Sequence, residues 1–200
     1  MRVFLLTALL GGFATFSSFC NRDRWHGYFR IHWGLIKAIL ILPGTVIVII
    51  PAVILKVSQT TRFSPALASP SQVLFWLAVS AAVTGLGLAI WTVSLFMKFG
   101  GGTPAPWQPP KDLVIRGPYR YVRNPMITGA LLILLALSIF FQSWPIAIWM
   151  IIFFIGNAIY FPLFEEKSLE KRFGAVYLEY KSQVPRWIPR LRAWRQPGFD

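Results

Sequence analysis

The chain has one cysteine, Cys20, and two histidines, His26 and His32. One thiol cannot close an intramolecular disulfide, and so few soft ligands exclude a Cys/His zinc or iron–sulfur site, so no metal is expected. Charge is scarce as well, at 14% of 200 residues against roughly 25% in a soluble domain. Acid is the scarcer sign: 7 Asp and Glu face 20 Lys and Arg, a formal net charge of +13. What fills the chain instead is apolar, with 56% hydrophobic and 16% aromatic residues and a mean hydropathy of +0.57. Long apolar runs exclude a disordered, fibrous or disulfide-framework chain. The composition is that of an all-α bundle of membrane-spanning helices in a single domain, 1–200.

Excess positive charge suggests nucleic acid in a soluble protein, but position decides here. Four of the 20 basic residues lie in Arg22–Lys37, five in Lys98–Arg123 and eight between Lys167 and Arg195. Clusters that alternate with apolar runs are what the positive-inside rule produces, so the partner they imply is the lipid bilayer and its anionic headgroups, with no nucleic acid.

A span needs about 20 mostly apolar residues. Leu35–Leu55 and Val73–Met97 qualify, and Met126–Phe141 and Pro145–Phe164 form a tight C-terminal helical hairpin across Gln142, Ser143 and Trp144. Val3–Phe19 also describes a signal segment, but Arg22 and Arg24 follow it at once like a cytoplasmic anchor. With Met1 outside, about five spans put all three basic clusters on the cytoplasmic side. This is an integral, multi-pass arrangement. Pro43, Pro51 and Pro162 are expected to kink or end helices. After Glu165, Leu169, Phe173, Val176, Tyr177, Tyr180 and Val184 recur at spacings of three and four, an amphipathic helix on the cytoplasmic side. Pro185 and Pro189 end it. Arg186, Trp187, Arg190, Arg192, Trp194 and Arg195 then have the makeup of a headgroup anchor.

Chemistry can sit at the mouth of the hairpin. The loop FGGGTPAPWQPPKDLVIRGPYRYVR is too rich in Gly and Pro for a helix and too aromatic for a plain solvated connector, so it should be ordered. It delivers Tyr119, Arg120, Tyr121, Arg123 and Asn124 to the cytoplasmic entrance. The hairpin returns the chain to that entrance at Glu165-Glu166, and carboxylates beside an apolar core are costly unless paired or used. A salt bridge across the mouth and a ligand of matching charges are both open readings.

The run RGPYRYVRNPM with Gly129 three residues on, an apolar hairpin, Glu-Glu, FG, Tyr-x-x-Tyr and VPRWIP together resemble the C-terminal half of integral-membrane methyltransferases. These are the isoprenylcysteine carboxyl methyltransferase and phospholipid methyltransferase families. The resemblance covers about residues 85–190 and sets N-terminal spans, 1–97, apart from a methyltransferase-like region, 98–190. It implies S-adenosyl-L-methionine as cofactor, facing the cytoplasm, and a lipophilic acceptor in the membrane. Asn124 stands where the isoprenylcysteine enzymes usually have histidine, and Phe161 where they have an arginine, so the pattern is nearer the phospholipid enzymes. Gly85-Leu86-Gly87 occupies the place of a Gly-x-Gly associated with the cofactor, although a small-residue helix contact explains the spacing equally.

The resemblance implies reacting-centre roles for Arg120, Arg123 and Asn124, and cofactor contacts at Gly85, Gly87, Asn124, Pro125 and Met126. Chemistry adds that Glu165 and Glu166 can accept from the cofactor's ammonium or ribose, that Arg120 or Arg123 can pair with its carboxylate, and that Tyr119 or Tyr121 can face the sulfonium. Leu113 and Val114 suit the adenine. No dinucleotide fingerprint is present. A sterol-reductase-like NADPH enzyme and a non-enzymatic membrane assembly protein remain alternatives, and the oligomeric state is not legible.

Overall fold

The structure, a computed structural model, describes residues 43–61, 63–100 and 111–195, and every regular element in them is helical. Helix α1 runs Gly44–Ser58, α2 Val73–Phe99, α3 Pro125–Phe140, α4 Trp144–Tyr160 and α5 Glu166–Gln183. Two helical stretches, Val73–Phe99 and Trp144–Gln183, are long and apolar enough to cross a membrane. The expected span Val3–Phe19, the start of Leu35–Leu55, Cys20, both histidines and residues 101–110 of the loop lie outside the described residues.

Helices α2 and α3 are antiparallel: Phe75 meets Phe140 at 6.0 Å between ring centroids, and Gly85 meets Gly129. The two glycines let the backbones touch. A Cβ on Gly85 would lie 2.8 Å from the Gly129 carbonyl oxygen, and one on Gly129 would lie 3.0 Å from that of Gly85. The helix-contact reading of Gly85 is therefore the one the packing displays, whereas Gly87 is exposed and a Cβ there would meet nothing within 4 Å.

The hairpin turn is as tight as expected. Gln142 takes a positive φ of 45°, the Ser143 amide donates to the Ser138 carbonyl at 2.9 Å, and the Ser138 hydroxyl donates to the Ser143 carbonyl at 3.2 Å. Pro125 and Pro145 each sit in a helical first turn, where a missing N–H costs nothing.

Pro51 and Pro162 do not end their helices. Wide π-helical turns occupy Gly44–Ile49, between Pro43 and Pro51, and Phe161–Glu165, around Pro162. Widening the turn accommodates a ring that carries no N–H and would otherwise strike the carbonyl four residues back. Helix α4 therefore continues into α5. Within α5, Gly174 leaves helical geometry at φ 55°, ψ −132°. Tyr177, Tyr180 and Val184 are buried with Trp194, against Leu113, Ile115, Leu169 and Phe173. Val176, expected on the inner face, is exposed, while Leu169, Phe173, Tyr177, Tyr180 and Val184 keep the inward stripe across the break at Gly174.

Helix α2 has 27 residues, about 40 Å at 1.5 Å each, against 16 in α3. Its last turns overhang the start of α3, and the segment before α3 packs on that overhang. Gly117 lies against Trp91 and Leu95, the Tyr119 ring meets Phe96 edge-on at 5.5 Å, and the Arg116 guanidinium lies 4.2 Å over the Phe99 ring.

Candidate functional site

The sequence GPYRYVRN folds as a single 3-10 turn, Gly117–Arg120, and then an irregular run into α3. Gly117 has a φ of +54°, and a Cβ there would sit 3.0–3.1 Å from Leu95 and Trp91, so both the turn and the close approach call for glycine. The chain beyond α5 holds this run in place through its main chain. The Arg123 amide donates to the Pro185 carbonyl at 3.0 Å, the Arg190 amide to Tyr121 at 3.0 Å and the Trp194 amide to Arg120 at 2.9 Å. The Arg120 Nε returns a bond to the Trp194 carbonyl at 2.8 Å, and the Tyr180 hydroxyl donates to the Tyr119 carbonyl at 2.7 Å.

The expected headgroup anchor is thus a strap across the site. Trp194 is buried because its ring packs on Tyr180, and Arg186 is drawn inward by charge. Tyr119 is also buried, wedged between Phe96 and α5, and burial pushes its hydroxyl far above the usual phenol range. Of the two expected arginines, Arg120 ties its Nε to the strap.

Arg123 leads to an ion cluster centred on Glu166, which is 3% exposed. Its Oε1 accepts from Arg123 Nη1 at 2.8 Å and from Arg186 Nε at 2.7 Å; its Oε2 accepts from Arg186 Nη2 at 3.1 Å and lies 3.2 Å from Lys181 Nζ. Lys181 is held in turn by Glu170 at 2.6 Å. Burial alone raises a carboxyl pKa, but the hydrogen bond from Arg186, the charge of Arg123 and the bond from Lys181 outweigh it and leave Glu166 below its ordinary value. Tyr177 is buried beside the cluster, its hydroxyl pushed up first by burial and then by the Glu166 charge.

The structure separates the acidic pair. Glu165 takes no part in the Glu166 cluster; burial raises its pKa, and the charge of Arg172 offsets this only in part. Where α3 begins, Arg123 Nε and Asn124 Nδ2 are buried with no hydrogen-bond partner among the described residues, although Asn124 is only 9% exposed. Pro125 is buried and Met126 half-buried just beyond. Leu113 packs on the Tyr177–Trp194 core and Val114 is buried.

Two buried donors without a partner among the described residues want an acceptor, and a carboxyl whose ionisation burial opposes gains from a cation. Three cations against the carboxylates of Glu166 and Glu170 leave the cluster one positive charge in excess. This donor set fits the carboxylate and ammonium of an amino-acid zwitterion, the end group of S-adenosylmethionine. Sequence reasoning placed the acidic pair near Arg120, Arg123 and Asn124; the structure joins Glu166 to Arg123 and adds Lys181 and Arg186 around it, with Tyr177 beside them, none of which the sequence singled out for the mouth. The VPRW run was the available signal for Arg186.

The family model described as phospholipid methyltransferase matches residues 73–176, from the start of α2 into α5. Over 81 residues, 39% of this chain, the sequence is 33% identical to methanethiol S-methyltransferase 2 of Bradyrhizobium diazoefficiens, and the match spans 29% of that protein's length.

Proposed function

The chain belongs to the phospholipid methyltransferase family, and from that premise we propose that it is a multi-pass membrane enzyme transferring a methyl group from S-adenosylmethionine to a lipophilic acceptor. The observation that carries this reading is the pair of buried donors at the start of α3, Arg123 Nε and Asn124 Nδ2, which have no hydrogen-bond partner among the described residues. In this reading the donors take the cofactor carboxylate, helped by the partial positive charge of the α3 N-terminus, and Glu165 takes the ammonium or ribose. Glu166, whose oxygens are occupied by cations, serves the site through Arg123. Leu113 and Val114 lie on the adenine side, and Tyr121, partly exposed, is the tyrosine left to face the sulfonium.

When bound, the cofactor supplies an electrophilic methyl on a sulfonium. In-line displacement requires alignment and exclusion of water, so the residues at the mouth act by orienting the reactants, and neither a protein nucleophile nor a metal is needed. The acceptor enters sideways from the bilayer, because the outer surfaces of the hairpin are apolar; an amine acceptor attacks as the free base. The cofactor, being charged, arrives from the cytoplasm beside α5. Family membership and the acidic Glu165 weigh against an NADPH enzyme, whose 2′-phosphate a carboxylate would repel.

A lipid amine headgroup is the preferred acceptor, with a prenylcysteine-like carboxylate behind it. A small thiol is the second reading, favoured by the similarity to a methanethiol S-methyltransferase. Purified protein incubated with methyl-labelled S-adenosylmethionine and a total lipid extract is expected to move label into lipid. Label appearing only in a volatile thioether when methanethiol is added would select the thiol, and no cofactor binding would overturn the reading altogether.

A further inference from the structure

Arg186 and Lys181 lie beyond residue 176, where the family match ends, yet both close on Glu166. The geometry does more than neutralise a carboxylate. Glu166 Oε1 is shared by Arg186 Nε at 2.7 Å and Arg123 Nη1 at 2.8 Å, while Arg186 Nη2 grips Oε2 at 3.1 Å. A two-point fork fixes the plane of a carboxylate as a single ammonium cannot. With that plane fixed, Arg123 keeps its Nη1 on Oε1, and its Nε is left buried with no hydrogen-bond partner among the described residues. The bond from the Arg123 amide to the carbonyl of Pro185, next to Arg186, holds the two backbones in the same register.

We propose that Arg186 is a positioning residue for cofactor capture: acting through Glu166, it orients the Arg123 guanidinium toward the carboxylate of the bound amino-acid end group. This rests on the reading of Arg123 given above. Without Arg186, Glu166 would turn toward Lys181 at Oε2, and Arg123 would lose its fixed partner. Lys181 does not substitute, being a point charge already held by Glu170.

A double-mutant cycle on the full-length detergent-solubilised protein, read as the Kd for S-adenosylmethionine, tests this. Arg186→Gln is expected to weaken binding about ten-fold in the parent protein, the scale of coupling between residues sharing one ion network. In an Arg123→Gln background the same change should cost less than about two-fold, since the group being aimed is gone. Equal losses in both backgrounds would make Arg186 a staple of the fold and overturn the proposal, as would no loss in the parent. Arg186→Lys keeps the charge and removes the fork, which guards against a variant that does not fold; it should bind about three-fold or more weakly, and parental affinity in that variant would also overturn the proposal. Failure of the parent to bind cofactor at all would instead sink the reading of the site, a separate outcome.

Discussion

At the scale of single residues, Glu165 and Glu166 are neighbours in sequence with opposite fates. Glu166 is surrounded by three cations, the salt-bridge arrangement across the mouth, whereas Glu165 stands outside that cluster with Arg172 as the charge that acts on it. Replacing Glu166 with Gln leaves Arg123 and Arg186 facing each other without a counter-charge, and should cost about 3 kcal/mol of stability, read as a lower melting temperature without ligand. Replacing Glu165 with Gln should leave melting nearly unchanged and weaken S-adenosylmethionine binding by about 2 kcal/mol, read by calorimetry. The two carboxyls also respond to pH in different ways. A folded-state pKa below the ordinary 4.5 means that Glu166 stabilises the fold above that pH, so melting temperature should be flat there and fall as pH drops through the depressed value. Glu165, raised above 4.5 by burial, should lose its hold on a cation at a higher pH, so cofactor affinity should weaken on acidification before the fold does. The motif RGPYRYVRN and the acidic pair were visible in the sequence. Which arginine faces which acid was not, because Arg120 and Arg123 differ only in what the distant strap offers them: a carbonyl to one, a shared carboxylate to the other.

Among the elements, α2 and α3 begin within a residue of where hydropathy places them, since an unbroken apolar run has few alternatives in a bilayer. The join between α4 and α5 was not legible. Pro162 reads as a stop in any water-soluble helix, and only the widened turn that absorbs it makes one continuous element. The Gly-x-Gly of α2 was legible as a motif but ambiguous in meaning, and its two glycines can be told apart. Gly85→Ala forces a methyl against a carbonyl of α3 that cannot step aside, and should destabilise the protein by about 1–3 kcal/mol. Gly87→Ala has open space and should melt within about 0.5 kcal/mol of the parent. If Gly87→Ala nevertheless loses cofactor affinity, the exposed glycine belongs to the cofactor path and the buried one to the helix contact; parental affinity would remove Gly87 from the site.

For the whole molecule, the basic clusters argue that the run ending at Arg123 and the chain after Glu165 share the cytoplasmic side, and the main-chain bonds between residues 120–123 and 185–194 require the two segments to meet. On a Cys20→Ser background, a cysteine at position 105 should react with a membrane-impermeant thiol reagent only after the cells are opened; labelling from outside intact cells would invert the orientation. That the sides agree was readable from charge, whereas the strap was not, since its arginines and tryptophans look like lipid anchors until Tyr180 and Glu166 claim two of them. The strap also sets an order in time. Membrane helices are made and inserted from first to last, and the residues that clamp the entrance of α3 are synthesised long after that helix is in place. A chain interrupted between Glu166 and Pro185 would already carry the α3–α4 hairpin and still lack the clamp on Arg123, so translation itself withholds the finished site until the strap has been made.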